Sequence, residues 1–373
     1  MFRENTAAMT GTTNLKSLLW FVLFPFLSLG CWLNLGRQKA SAQILPDHTL
    51  GAESSRITRV NEVRELIEGG AIRGSNLFHS FEAFNVSEGQ EAYFANPVGI
   101  ESIFSRVTGN DPSAILGTLG INGGANLFFL NPNGIIFGEN AQLDIRGSFV
   151  ASTANRLVFD NGVEFSATNP ESAPLLTINL TPGLQYGANP PPQSSIERGK
   201  IITANATRLA VGHNLTLAAN DLDLRGNLYA GNDLKIVAQD TVRIRDSVVN
   251  SFIAQAQGDL LIHGNQNVDI VALNHPDSGL FSGGEMVLQS ANPVRGDAHY
   301  WSGGSFRIKK LDESLGDLYS PNDPIIRANG DVFLALSLSL PTIQFIWLIV
   351  SSSAIQLIRT RGVTSISRLG QCP

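Results

Sequence analysis

From Gly212 to Leu334 one short phrase keeps returning: a Gly, one or two polar residues, then apolar-x-apolar. It stands at Gly212–Leu217, Gly231–Ile236, Gly258–Ile262, Gly283–Leu288, Gly303–Ile308 and Gly330–Leu334. The first apolar residues of these units, Leu215, Leu234, Leu260, Met286, Phe306 and Val332, are spaced by 19, 26, 26, 20 and 26 residues. Period-2 alternation inside a repeat of that length predicts a β-solenoid. One coil cannot bury its apolar row alone, so the coils must stack, at about 4.8 Å per paired strand. The expected fold is therefore all-β, a right-handed parallel β-helix (β-solenoid) with an N-terminal cap. A bare first coil would offer a pairing edge. Residues 43–90, with the aromatic-rich run Gly74–Phe81, are placed to cover it. With 36 Gly among 373 residues and 16% charged residues, the chain has the make-up of many short strands and turns. Glu62–Ile67 is the one stretch outside the N-terminus with a fair helical pattern.

A second feature is local. Leu127–Phe137 places apolar runs on either side of Asn131-Pro132-Asn133-Gly134. Pro132 presets φ for the first corner position, Asn133 tolerates the second, and Gly134 closes a type I turn. The Asn131 side chain can accept a hydrogen bond from the turn backbone. On the residues alone, this is a tight turn between two buried strands. The words Asn-Pro-Asn-Gly-Ile in this setting also resemble the second signature of the two-partner secretion domain of filamentous-haemagglutinin-like exoproteins. Tyr93–Ile100, with its own Asn96-Pro97 turn, is similar to the first signature, although Val98 stands where the family usually has a second Asn. The resemblance runs from Gln43 to Asp160 and continues more loosely to Phe333.

The resemblance implies a partner: an Omp85-type outer-membrane transporter whose periplasmic domains recognise the N-terminal domain. The exoprotein then folds outside, often as an adhesin toward a host or cell-surface glycan or protein, without a cofactor. The residues it singles out for transporter recognition or secretion are Asn131, Pro132, Asn133, Gly134 and Ile135, with Asn96, Pro97, Gly99 and Ile100. Two roles stay open for them: fixing turn geometry for the secretion-competent fold, or contact with the transporter through exposed neighbours.

The start of the chain reads as a secretory leader. Lys16 precedes the uncharged apolar run Leu18–Leu29, and Ala40-Ser41-Ala42 supplies the small residues a signal peptidase needs before Gln43. About 12 strongly apolar residues are short for a bilayer span. Removing residues 1–42 takes four of the 26 basic and one of the 32 acidic side chains, leaving 22 and 31 and a formal charge of −9. That balance argues against nucleic acid, which asks for clustered Lys and Arg. Cys31 leaves with the leader and Cys372 stands alone, so the mature chain has no internal disulfide to obstruct a second membrane crossing.

The expected division is 1–42 signal peptide, 43–180 secretion domain with its cap, 181–195 Pro-rich loop, 196–334 further coils and 335–373 an atypical tail. After Asp331 the chain has no further Asp, Glu, Asn or Lys. The tail reads either as a frameshifted end of a longer exoprotein or as a C-terminal anchor; otherwise membrane contact is transient. No enzyme signature is found: no phosphate loop, no Cys-x-x-Cys, no His-Glu-x-x-His and no Gly-x-Ser-x-Gly. The same-face pair Asp221 and Asp223 sits beside Arg225 as a solvated ladder, and His213 and His263 read as turn residues. A polysaccharide-active β-helix enzyme and an outer-membrane-tethered structural protein are the competing readings.

Overall fold

The computed structural model describes residues 43–171, 199–322 and 324–335 with their side chains, together with backbone strands at Gly183–Gln185, Phe345–Val350, Ser353–Thr360 and Val363–Arg368. The described chain is a parallel β-helix with an antiparallel cap at its N-terminal end. Each coil passes through three faces. The first face stacks Asn76–Phe84, Ser102–Val107, Asn126–Leu130, Phe149–Ser152, Leu215–Ala219, Leu234–Ala238, Leu260–Gly264, Met286–Ser290, Phe306–Lys309 and Val332–Phe333. The second runs from Ser113–Ile115 through Ile135–Phe137, Lys200–Thr203, Asp221–Leu224 and Thr241–Arg245 to Asn267–Ala272. The third begins with Arg64–Gly69, Glu91–Ala95, Thr118–Asn122 and Gln142–Asp144, and continues past the Ile145–Val211 bridge with Arg208–Val211, Asn227–Ala230, Ile253–Ala256 and Gly279–Ser282. The long strand Val294–Ser302 belongs to the second face by its first half and to the third by its second.

The repeat is reproduced residue by residue. Leu215, Leu234, Leu260, Met286, Phe306 and Val332 are successive register partners on the first face. The column continues upward through Phe149, Leu127 and Ile103 to Leu77. Every member down to Phe306 is essentially inaccessible to solvent. The polar residue before each apolar one has its own task. Asp233 N donates to Asn214 Oδ1 (3.1 Å), Asp259 N to Asp233 Oδ1 (2.9 Å) and Glu285 N to Asp259 Oδ1 (2.7 Å). Each side chain thus satisfies the backbone of the next coil at a corner where the ladder pauses. The Gly is needed because the coils nearly touch there: a Cβ on Gly231 or Gly303 would collide with the carbonyl oxygen of Gly212 or Gly283 in the coil before.

Two features differ from the sequence expectation. Glu62–Ile67 is not helical: Arg64–Gly69 is a strand, antiparallel to Ser55–Arg59 and parallel to Glu91–Ala95. Burying Ile67 in the capped core outweighs a weak local propensity. The helix body is also interrupted earlier than the prolines suggest. Phe149–Ser152 pairs directly with Leu215–Ala218, so the chain leaves the first face after Ser152 and rejoins the stack at Lys200–Thr203, beside Ile135–Phe137. The excursion contributes Arg156–Val158 and Glu164–Ser166, joined by Gly183–Gln185, a strand within the stretch read as Pro-rich loop; Gly187–Pro192 lie outside the described residues. This small sheet covers an outward aromatic column, Phe78 on Phe104 (5.1 Å) on Phe128 (4.7 Å), by placing Phe165 against Phe78 (5.0 Å) and Phe159 against Phe104 (5.4 Å).

At the other end, Phe345–Val350 adds to the third face parallel to Ile325–Ala328, followed by two antiparallel strands. No helix among the described residues is long and apolar enough to cross a membrane.

The cap carries one buried ionisable ring. His79 points into the core against Phe94 (5.2 Å), with Nδ1 3.0 Å from Ser55 Oγ and no partner for Nε2. Burial pushes its pKa down to about 3. An unfolded His takes up its proton near pH 6.5, whereas the folded one stays neutral, so the unfolded state binds more protons and stability falls as pH falls between these values. The expected loss between pH 7 and pH 5 is about 2 kcal/mol. Denaturant titrations at the two pH values measure it, and a His79→Gln variant should lack this part of the slope.

Candidate functional site

The turn Asn131–Gly134 is an interior structure. All five residues from Asn131 to Ile135 are buried. Gly134 N donates to Asn131 O (3.1 Å), closing the turn, and Asn131 Oδ1 accepts from Asn133 N (2.9 Å). The Asn131 amide then reaches back one coil, donating to Asp111 O (3.1 Å) and Ser113 Oγ (2.9 Å). Asn133 Nδ2 donates to Gly109 O (2.7 Å), and Gly134 O accepts from Ser113 N (3.0 Å). Ile135 stacks between Ser113 and Ile201. The two asparagines therefore stitch the third coil to the corner of the second, with their polar atoms turned into the protein.

The Asn96–Ile100 turn is built differently. Its closing bond is Ile100 N to Pro97 O (3.1 Å), so Pro97 is the first residue of the turn rather than the second. Gly99 has φ +87°, as a type II turn requires at its third position. Oriented to satisfy its neighbours, the Asn96 amide donates to Ile100 O (3.1 Å) and accepts from the Gly124 and Ala125 amides (3.3 Å each). Ile100 is buried, while Pro97, Val98 and Gly99 project into solvent. Val98, at 105%, is the most exposed of the large apolar residues described, against 7% for Asn133. The two Asn-Pro sequences thus share an inward asparagine, and only the first presents a tip.

Of the residues named for leader cleavage, Ala40 and Ala42 lie outside the described residues; Gln43 opens the cap, its carbonyl accepting from Asn85 N (3.0 Å).

Of the two acids read as a solvated ladder, Asp223 belongs to a charge ladder, whereas Asp221 is half-buried as the register partner of Lys200. Asp223, Arg243, Asp269 and Arg295 succeed each other in register, so the charge sign alternates from coil to coil. Asp223 also meets Arg225 (3.3 Å), and Asp269 pairs with Arg245. Burial and then Asp240 push the Asp221 carboxyl up, opposed by Lys200. His263 is committed through both ring nitrogens, to Gln289 Oε1 (3.0 Å) and Asn265 Oδ1 (2.8 Å). Among the described residues no cluster of His, Cys, Asp or Glu is arranged to hold a metal ion.

Sequence reasoning passed over Arg106. It is 1% exposed on the outward side of the first face, and its guanidinium lies 4.3 Å over the Phe165 ring. Nε donates to Ser80 Oγ (2.9 Å), Nη1 to Ser166 O (2.8 Å), and Nη2 to Thr49 Oγ1 (2.9 Å) and Glu171 O (2.6 Å). Ser80 and Thr49 in turn donate to Asp47. The signal was available: a lone Arg in the apolar run Ile103–Val107 must find partners if that strand is covered on both sides.

A family model described as "TPS secretion domain" matches residues 42–308. The heme/hemopexin-binding protein of Haemophilus influenzae is 29% identical over 82 residues, 22% of this chain and 9% of that protein. The match thus spans about a tenth of that relative's length. Two solved structures align at 15% identity: a filamentous hemagglutinin secretion domain (TM-score 0.48, 83% of this chain and 97% of that one) and the HMW1 secretion domain of Haemophilus influenzae (TM-score 0.40, 78% and 90%).

Proposed function

Because the chain belongs to the family of TPS secretion domains, we propose that its N-terminal domain, residues 43–180, is what an Omp85-type outer-membrane transporter recognises through its periplasmic domains. The protein is an exoprotein, secreted or held at the cell surface. Outside, the β-helix acts as an adhesin toward a glycan or protein of a host or neighbouring cell and catalyses nothing itself. A leader cleaved between Ala42 and Gln43 delivers it to the periplasm. The family match from residue 42 to residue 308 is the observation that carries this reading.

On this reading the two turns have different tasks. Asn131 and Asn133 spend their polar atoms on the preceding coil, so they serve export by completing the fold. Transporter contact is assigned to the tip Pro97–Val98–Gly99, an exposed apolar point. Val98→Glu tests this, since nothing packs on a side chain so exposed. Its folding free energy should stay within about 0.5 kcal/mol of wild type. Export through the co-expressed transporter should fall severalfold, read as exoprotein in the medium against periplasm. Export at the wild-type level would remove this tip from recognition.

A further inference from the structure

The first-face strands from Leu215 to Lys309 lack Asp and Glu, but their Arg307 and Lys309 are paired with Glu285 and Glu313. The C-terminal half of the third face lacks acids and, among the described residues, leaves its arginines unpaired. Its strands Arg208–Val211, Asn227–Ala230, Ile253–Ala256, Gly279–Ser282, the His299–Ser302 portion of Val294–Ser302, and Ile325–Ala328 contain no Asp or Glu, in a chain with 32 of them. Down the outward side, register places Tyr229, Gln255, Phe281, Trp301 and Arg327 in one column. Arg208 lies over the Tyr229 ring at 5.0 Å, at one end, and Arg327 over the Trp301 ring at 5.8 Å, at the other. Both arginines are exposed, and among the described residues neither is in an ion pair. On the second face, by contrast, the arginines alternate with acids.

We infer that this column binds a linear acidic polysaccharide laid along the helix axis. Five inter-strand steps separate the two arginines, about 24 Å of flat surface at the usual strand spacing. Phe281 and Trp301 stack on each other at 4.6 Å with planes 3° apart, leaning across Gly279, where a Cβ would lie 2.9 Å from the Phe281 ring. Stacking along the axis uses the ring faces and leaves their edges outward. The edge is the positive end of the ring quadrupole, suited to carboxylate and ring oxygens rather than to face-on stacking of a neutral sugar. Gln255, between Tyr229 and Phe281, offers an amide to hydroxyl groups. The acids of the second face and of the corner column Asp233, Asp259 and Glu285 repel a polyanion there. Two arginines are too few for the phosphate density of nucleic acid.

The inference rests on the adhesin reading only in requiring display outside the cell; binding by purified protein tests it apart from export. The probe is polygalacturonate, immobilised, with the purified exported chain passed over it at low and moderate salt. Dextran and duplex DNA serve as comparisons. Wild type should bind polygalacturonate, less at higher salt, and bind dextran and DNA at least tenfold more weakly. The exposed double variant Arg208→Gln/Arg327→Gln should lose binding at least tenfold with an unchanged melting curve. Lys235→Gln, on the first face, should stay within twofold. Undiminished binding by the double variant, or dextran bound as well as polygalacturonate, overturns the site. Equal binding of duplex DNA overturns the glycan assignment.

Discussion

Arg106→Met should destabilise the N-terminal part of the helix by about 3–5 kcal/mol, the scale of breaking a buried, hydrogen-bonded charge. Met keeps the length of the stem and removes every donor. The carbonyls of Ser166 and Glu171 then lose a partner, and Thr49 and Ser80 lose their link to the excursion. The arginine stays charged at neutral pH although burial pushes its pKa down to about 10. Its counter-charge is Asp47, which it reaches only through hydroxyls. Burial opposes ionisation of that carboxyl, but donors from Thr108, Thr49 and Ser80 outweigh it and hold the pKa below the ordinary value. A carboxyl depressed in the folded state adds stability above its unfolded pKa and loses it as pH falls through the folded one, so the network weakens below about pH 4. Arg106→Lys should fall between wild type and Met, because an ammonium cannot span four acceptors in a plane. Equilibrium unfolding of the three proteins settles the matter; a Met variant within 1 kcal/mol of wild type, taking about 1 as the ordinary size of a single change, would mean that the network is not coupled to folding.

The same residues show why the fold was legible and the site less so. A solenoid writes its register into the sequence, since each coil must place an apolar residue over the last. Six such residues picked out by spacing alone are register partners. The corner Gly and its polar follower are equally visible, because a carbonyl contact and an unpaired amide recur at every coil. The excursion after Ser152 has no such period. That Phe149 pairs with Leu215 is decided by the stack below, and nothing local announces it. Aromatic residues at Phe78, Phe104 and Phe128 look like core in sequence, yet they face outward; Phe78 and Phe104 are buried because Phe159 and Phe165 return over them, and Phe128 at the end of the column stays half-buried. At the turns, sequence located both asparagines but could not tell an inward amide from an outward tip. That difference depends on whether Gly109 and Ser113 are within reach, and they belong to the previous coil.

Asn131→Ala is expected to be the more damaging of the two turn substitutions, although Asn133 is the residue that distinguishes this turn from the one at Asn96. Ala removes the acceptor of the Asn133 N–H and the donor to both Asp111 O and Ser113 Oγ, at a residue with no solvent access to replace them. Unpaired buried groups of this kind cost about 1–3 kcal/mol each, and the expected total is about 3 kcal/mol. Asn133→Ala loses chiefly the bond to Gly109 O and should cost about 1–2 kcal/mol. Asn131→Asp separates the parts: it keeps an acceptor for Asn133 N but turns a carboxylate toward Asp111 O, and so should be no better than Ala. If the turn serves export through the fold, secretion of the three variants follows their stability, with Asn133→Ala the least affected, and all three lag behind Val98→Glu in the ratio of export lost to stability lost. Should Asn131→Ala fold at wild-type stability and still fail to leave the cell, the buried turn itself would have to be read by the transporter before the helix closes over it.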